Sequence, residues 1–199
     1  MGNKFNKLYL KRRSVFDFDI IGKDFDIDKF LNVLEVFSSN MPSKQGKFPY
    51  EIHVLDWSDR TLRKDILDGT TTREEDLINC PMNNQVLAPV LVCFTHQTDP
   101  EPYIAPMEIG MALMSLTFLL QADGFLTSFC QCIEDPNDLA KKITGEDNTT
   151  LRVILPVGQH AYPTTSNYMP NPFGGKIHVK VNTPHNNVPN VKYHIDKRK

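Results

Sequence analysis

The sequence predicts an α+β domain in which helices cover a central mixed sheet. The continuous apolar run at residues 90–94 is typical of a strand that is buried on both faces. Behind Asp26, apolar residues recur at helical spacing and predict a helix with one buried face. Residues 105–122 predict a long helix that is apolar on nearly every side. Strands and helices therefore alternate along the chain around one core.

The predicted helices begin at capping residues and end at glycine or before proline. Asp26 is an N-cap, and the helix behind it ends near residue 40, before Pro42. Gly69 ends a short helix over 61–67, and Pro136 opens a helix to about residue 143 because proline suits a first turn. A further short helix is predicted over residues 5–10.

The strands are predicted from alternation and apolar runs. They are expected at residues 15–21, 50–55, 86–95, 125–130 and 151–157. Beyond Gly158 the composition shifts to proline, asparagine, threonine and glycine, broken by one alternating run over 176–181. We therefore expect one domain over residues 1–158 and an extended C-terminal arm over 159–199. Such a long arm buries little against its own domain, so it is expected to wrap a partner subunit.

Composition narrows the function classes. The 199 residues are 40% hydrophobic, and the formal net charge is -2, which gives no electrostatic reason to expect nucleic acid or an anionic membrane as a partner. The spacing of the four cysteines matches no zinc motif, and no metal is expected. Reduced thiols predict a cytoplasmic protein. Capping and a solvated helix start explain the aspartates at positions 17, 19, 24, 26 and 28.

The apolar helix at 105–122 has two explanations. Its length approaches that of a bilayer span. Glu108 lies inside it, Gln121 and Asp123 close it, and no second segment of this kind follows. The centre of a large core is therefore favoured, and membrane association is the alternative.

Four short segments stand out in order along the chain. The first is Arg12-Arg13-Ser14, whose guanidinium and hydroxyl donors suit a phosphate. The second is the Pro42-Ser43-Lys44 loop, which continues to Tyr50, and the third is a polar entry over 83–85 into Ala88-Pro89. The fourth is Glu108-Ile109-Gly110 with residues 124–132. Together, over about residues 8–158, these segments resemble the nitroreductase family of flavoproteins.

The resemblance implies a set of cofactor-binding residues. Arg12, Arg13 and Ser14 would hold the phosphate end of FMN. Further contacts to the ribityl chain, the ring, the ring nitrogen N5 and the phosphate would come from Pro42, Ser43, Lys44, Asn84, the backbone N–H of Gln131, and Lys176.

The resemblance also implies an activity. Relatives are homodimers that hold FMN at the subunit interface, and the long apolar helix forms the dimer core. Hydride would pass from NAD(P)H through flavin N5 to a small-molecule acceptor such as a nitroaromatic or a quinone. Because the cofactor carries this chemistry, no catalytic side chain is expected, and none stands out.

Three positions depart from the family pattern and keep other functions open. Phe16 replaces a cation that many relatives carry, Phe48 stands where glutamine is usual, and Cys132 replaces a glycine. One alternative is a divergent activity such as flavin fragmentation or dehydrogenation. Another is a flavin-binding or flavin-free dimer with a structural or regulatory role.

Overall fold

A computed structural model describes residues 14–19, 25–41, 43, 46–70, 83–98, 104–162, 168–174 and 176–178. Several features predicted from sequence lie outside these ranges: the helix at residues 5–10 and the side chains of Arg12, Arg13, Pro42 and Lys44. For residues 176–178 the backbone alone is described.

A four-stranded antiparallel sheet forms the centre of the molecule. Its strands stand in the order β1-β2-β4-β3. They are β1 (Glu51–Leu55), β2 (Val90–Gln97), β3 (Leu126–Thr127) and β4 (Thr149–Gly158). The parallel contact expected of a mixed sheet is a bridge between Ser14 and Thr127, at the outer edge of β3.

Within the described ranges four helices cover the sheet, and each of them is predicted from the sequence. They are α1 (Ile27–Ser39), α2 (Arg60–Gly69), α3 (Ile104–Ala122) and α4 (Pro136–Thr144). The predicted N-cap is confirmed, since the Asp26 carboxylate accepts a hydrogen bond from the Lys29 backbone N–H at 3.0 Å. Gly145 follows α4 in the left-handed conformation that ends many helices.

The two faces of the sheet have separate apolar cores. On one face, α1 and α3 pack their buried residues, such as Phe30 and Leu116, against Val92 and Phe94 of β2. On the other face, α2 and α4 pack against Leu91 and Cys93. Side chains alternate along β2, so one strand serves both cores, which explains its continuous apolar run.

Some predicted strands are shorter in the structure. The strand expected from residue 86 begins at Val90, because Asn84–Leu87 form a short 3-10 helix ahead of Pro89. The strand expected over 125–130 is two residues long, followed by an isolated bridge at Cys130. The run at 15–21 is held by single bridges at its described end rather than by a continuous ladder.

Part of the described arm packs on its own domain through Phe173, and the expectation that the arm wraps a partner subunit stays a prediction. Strands β5 (Tyr168–Pro170) and β6 (Lys176–His178) pair with each other. In the turn between them, the Phe173 ring lies 5.7 Å from the Trp57 ring. Arg60 Nη2 donates to the Pro172 carbonyl at 2.7 Å.

Helix α3 is apolar on both its inner and its outer side. Ile109, Leu116 and Leu120 are buried against the sheet, whereas Met107 and Met111 are about half exposed (58% and 48%). The helix is long and apolar enough to cross a membrane, a property that core helices of soluble proteins share. Its outer side is apolar surface that the described residues leave open.

Candidate functional site

Three of the segments singled out in the sequence meet at one corner of the sheet. Ser14 bridges to Thr127, and the Val15 backbone N–H donates to the Thr127 carbonyl at 3.0 Å. Asn84 contacts the same N-terminal segment through Asp17. We call this region, built from residues 14–19, 83–88 and 126–132, the site corner.

A buried polar pair joins the first two of these segments. Asn84 Nδ2 donates to Asp17 Oδ1 at 2.7 Å, and both side chains are buried. The Asp17 backbone carbonyl also accepts from the Tyr162 N–H at 2.9 Å. The prediction that Asp17 is one of the capping aspartates is therefore wrong. The place of Asp17 between apolar residues of an alternating run was the available signal.

A second buried amide joins the Asn84 turn to the segment after β3. Gln85 Nε2 donates to the Phe129 carbonyl at 3.2 Å, and Gln85 Oε1 accepts from Ser128 Oγ at 3.4 Å. Gln85 is buried, and sequence analysis did not single it out. Through the consecutive side chains of Asn84 and Gln85, the short 3-10 helix thus binds the other two segments of the site corner, residues 14–19 and 126–132.

Gln131 lies on an exposed turn at the edge of the sheet. The preceding residue, Cys130, exchanges both backbone hydrogen bonds with Ile154, at 2.9 and 3.0 Å. Backbone groups alternate in direction along an extended chain, so the N–H of Gln131 points away from β4. The Gln131 carbonyl accepts from the Ile133 N–H at 3.0 Å, which closes the turn.

Cys132 lies at the centre of this turn, and the backbone conformation at this position does not require a glycine. Phe48 is the one non-glycine residue with a positive φ in the described ranges, so φ is negative at Cys132. The replacement of glycine therefore leaves the backbone of the turn unstrained.

Gly158 brings the strand β4 into contact with the N-terminal segment. A Cβ added at Gly158 would lie 2.5 Å from Phe18 Cδ1 and 3.2 Å from Pro89 Cδ. Phe18 is fully buried, so its ring is shielded from solvent by its neighbours. The absence of a side chain at 158 is what lets residues 14–19 lie on the end of the sheet.

The Pro42 loop lies at another corner. Ser43 Oγ accepts from the Phe48 N–H at 2.9 Å, and Phe48 adopts the left-handed conformation with φ 43°. This fold of the loop places Ser43 close to the start of β1. A cavity of about 490 Å³ adjoins the loop. It is lined by Lys47, Phe48, Pro49, Tyr50, Glu51, Thr95, His96, Gln97, Thr98 and Thr149.

The sheet register shows that the two corners are diagonally opposite. Glu51, at the start of β1, pairs with Thr95 near the end of β2. Thr127 pairs with Val157, which pairs with Val90 at the start of β2. Three strand spacings and about five residues of strand separate the corners, or about 20 Å. Within one chain, the start of β1 therefore lies far from Thr127, the partner of Ser14.

Arg63 is a further residue of the site region that sequence analysis missed. It lies on α2 and is almost fully buried, with its guanidinium on the carbonyls of Val86 and Ala88. Burial lowers the pKa of Arg63 to about 10, which leaves it protonated at neutral pH. The signal was its spacing, because Arg63 shares a helix face with Ile66 and Leu67.

Lys176 is described through its backbone, which pairs with Pro170 in the hairpin. The turn of this hairpin contacts Trp57, which follows β1. The assignment of Lys176 to a phosphate contact therefore stays a prediction. The same holds for Arg12, Arg13, Pro42 and Lys44, whose positions lie outside the described ranges.

The described thiols are expected to differ sharply in reactivity. Cys93 is fully buried, and burial raises its pKa to about 12, whereas Cys132 is exposed. Because the thiolate is the reactive form, iodoacetamide at pH 8 should label Cys132 long before Cys93. Peptide mass spectrometry over a time course measures both rates. Equal labelling in the folded protein would contradict the placement of Cys93 inside the sheet.

Comparison with solved structures identifies the fold. An FMN-bound nitroreductase from Bacteroides fragilis superposes with a TM-score of 0.63 at 15% identity, over 96% of this chain and all of the other. An FMN-dependent nitroreductase from Clostridium difficile gives 0.62 at 21% identity, over 92% of this chain and 100% of the other. An FMN-dependent nitroreductase from Mycobacterium smegmatis, in complex with NADPH, gives 0.59 at 15% identity, over 80% and 89%.

The chain therefore has the nitroreductase fold, and the fold class predicted from the sequence is confirmed. No family model matches the sequence, and no curated protein matches it either. At identities of 15–21%, the likeness to these structures establishes architecture and leaves chemistry to be argued from the site.

Proposed function

We propose that this protein is an FMN-dependent oxidoreductase that takes hydride from NAD(P)H and gives it to a nitroaromatic, a quinone or a related small acceptor. The observation that carries the proposal is the meeting of Ser14, the Asn84 turn and the Gln131 turn at one corner of a nitroreductase-like fold. These segments lie far apart in the sequence, and the resemblance assigns each of them to the flavin.

The donors at the site corner suit FMN. The Ser14 hydroxyl and the neighbouring guanidinium groups of Arg12 and Arg13 are of the kind that binds phosphate. The outward N–H of Gln131 suits an acceptor nitrogen at a ring edge, such as flavin N5. Cys132 adds no backbone strain to that turn. The described groups are therefore compatible with the cofactor.

Bound FMN would supply the hydride chemistry itself, and the chain would supply binding and orientation. Gln131 would fix the ring edge through its backbone, and Ser14 would fix the phosphate end. Asn84, proposed to face the ring system, has its amide oriented by Asp17. Phe16 leaves this corner with less positive charge than many relatives carry, so stabilisation of a reduced, anionic ring would depend more on backbone donors.

We further propose that the working unit is a homodimer, located in the cytoplasm. Ser43 and Lys44 are assigned to the flavin by the resemblance, yet Ser43 bonds to Phe48 just ahead of β1, and the start of β1 lies about 20 Å from Thr127 across the sheet. A second copy related by a two-fold axis would bring its own Pro42 loop to the first copy's site corner. The exposed methionines of α3, Met107 and Met111, offer an apolar surface for that contact.

Subunit mixing tests both the function and the shared site. Arg13→Glu and Lys44→Glu are each expected to abolish FMN retention in their own homodimers, because each puts a carboxylate among phosphate and flavin oxygens. After joint refolding, half of the dimers pair one variant with the other. Each such dimer has one intact site, so about a quarter of all sites should recover FMN.

Lys47→Glu is the matched control, because Lys47 is an exposed lysine of the same loop that the resemblance does not assign. It should retain FMN as the wild type does. Wild-type protein that takes up no FMN would contradict the proposed cofactor. Wild-type binding without recovery in the mixture would contradict the shared site and favour a flavin held within one chain.

A further inference from the structure

We propose that Arg63 is a positioning residue, which holds the turn that organises the site corner and is itself held by the C-terminal arm. We call the Arg63 guanidinium and the backbone carbonyls that it binds the Arg63 clamp. The geometry of this clamp does not depend on a bound cofactor. Its effect on flavin rests on the proposed function.

The guanidinium of Arg63 joins three backbone carbonyls. Nη2 donates to Val86 at 2.8 Å and to Ala88 at 2.6 Å, and Nη1 reaches the Leu55 carbonyl at 3.4 Å. The first two acceptors belong to the Asn84 turn, which comprises the 3-10 helix and Ala88, and the third belongs to the end of β1. A planar fork with several donors can hold all three, whereas a single ammonium cannot match that geometry.

The same turn carries the two amides that bind the site segments. Asn84 contacts Asp17, and Gln85 contacts Ser128 and Phe129. Arg63 therefore binds residues 86 and 88 of this turn, while residues 84 and 85 bind the segments that carry Ser14 and Gln131. Movement of this turn would shift residues 14–19 and residues 126–132 together. Arg63 binds residues 86 and 88 of the site corner, and we infer that it acts on the other two segments through Asn84 and Gln85.

The C-terminal arm covers the clamp on its outer side. The Arg63 guanidinium lies 4.2 Å from the centre of the Trp57 ring, a cation–π distance. Phe173 of the arm packs against the same tryptophan, and Arg60 binds the arm through the Pro172 carbonyl. This stack excludes water from the guanidinium, which strengthens its bonds to the turn. Trp57 is the one tryptophan of the sequence, so its fluorescence reports this contact directly.

The test compares Arg63→Lys and Arg63→Met with Leu139→Ala. Leu139 is buried in the same apolar core, on α4, and makes no bond to the turn, so its variant controls for a general loss of stability. Two quantities are measured for each protein: amide hydrogen exchange without FMN, and the affinity for FMN. Trp57 emission is recorded in parallel.

Arg63→Lys is expected to stay folded and to exchange about tenfold faster at residues 84–88 and 127–131. Its FMN affinity should fall at least about fivefold, with further loss in Arg63→Met, since lysine restores part of the clamp. The wavelength of Trp57 emission should shift in both Arg63 variants. Leu139→Ala should exchange faster around α4 and keep FMN affinity within about twofold of the wild type.

The proposal would be overturned if residues 127–131 of Arg63→Lys exchanged their amide hydrogens at the wild-type rate. It would also be overturned if Leu139→Ala, at similar stability, lost as much FMN affinity as Arg63→Lys. If Arg63→Met does not fold, Arg63→Lys decides. If the wild type binds no FMN, the proposed cofactor fails, and the exchange pattern still decides the role of Arg63.

Discussion

Phe30→Ala should lower the free energy of unfolding by about 3–5 kcal/mol, as truncations of fully buried phenylalanines do. Phe30 has no exposed surface, and its ring packs against Phe25 and Phe125, with centroids at 5.6 and 6.0 Å. The substitution would leave a cavity where α1 meets the segment after α3. Urea unfolding followed by circular dichroism measures the change.

Leu31→Ala is the matched control on the same helix. Leu31 is half exposed, so its removal should cost well under half as much within a single chain. Similar losses from Phe30 and Leu31 would contradict the assigned buried face of α1. A concentration-dependent loss in Leu31→Ala would instead place this residue in a subunit contact.

Gly158→Ala is expected to weaken both the fold and the site. The new methyl group would lie 2.5 Å from Cδ1 of the fully buried Phe18 ring. Overpacking of this kind costs about 1–3 kcal/mol in unfolding free energy. The strain should also displace residues 14–19 from β3, so FMN retention should fall more than the stability loss alone explains.

A second substitution separates the clash from other effects of alanine. Phe18→Leu shortens the side chain that meets the new methyl group, so the double variant should recover part of the stability lost in Gly158→Ala. A double-mutant cycle measured by thermal unfolding gives this coupling. Simple additivity would contradict the close packing of Gly158 on Phe18.

The elements of the fold were predictable where a local signal decided them. Asp26 and Pro136 mark helix starts through capping and proline geometry, which act within a few residues, whereas α2 runs through Gly69, where the sequence predicts its end, and its C-cap is Thr70. The start of β2 was missed because Val86 and Leu87 are apolar and suit a strand. A tertiary contact, the Arg63 clamp on Val86 and Ala88, accompanies the 3-10 helix there instead.

The site was predictable in its segments and not in their arrangement. Motif resemblance pointed to Ser14, Ser43, Asn84 and Gln131. Which of these meet depends on sheet order and register, and these follow from long-range pairing that no local pattern encodes. Asp17 and Gln85 were missed for the same reason, since their partners lie more than 40 residues away.

The most direct test of the central claim is the visible absorption spectrum of the purified protein after incubation with FMN and gel filtration. The proposal predicts a yellow protein with about one FMN per chain, bleached by NADH or NADPH without oxygen and restored by a quinone or nitroaromatic acceptor. A protein that emerges folded, dimeric and colourless would contradict it. That result would favour a flavin-free dimer on the nitroreductase fold.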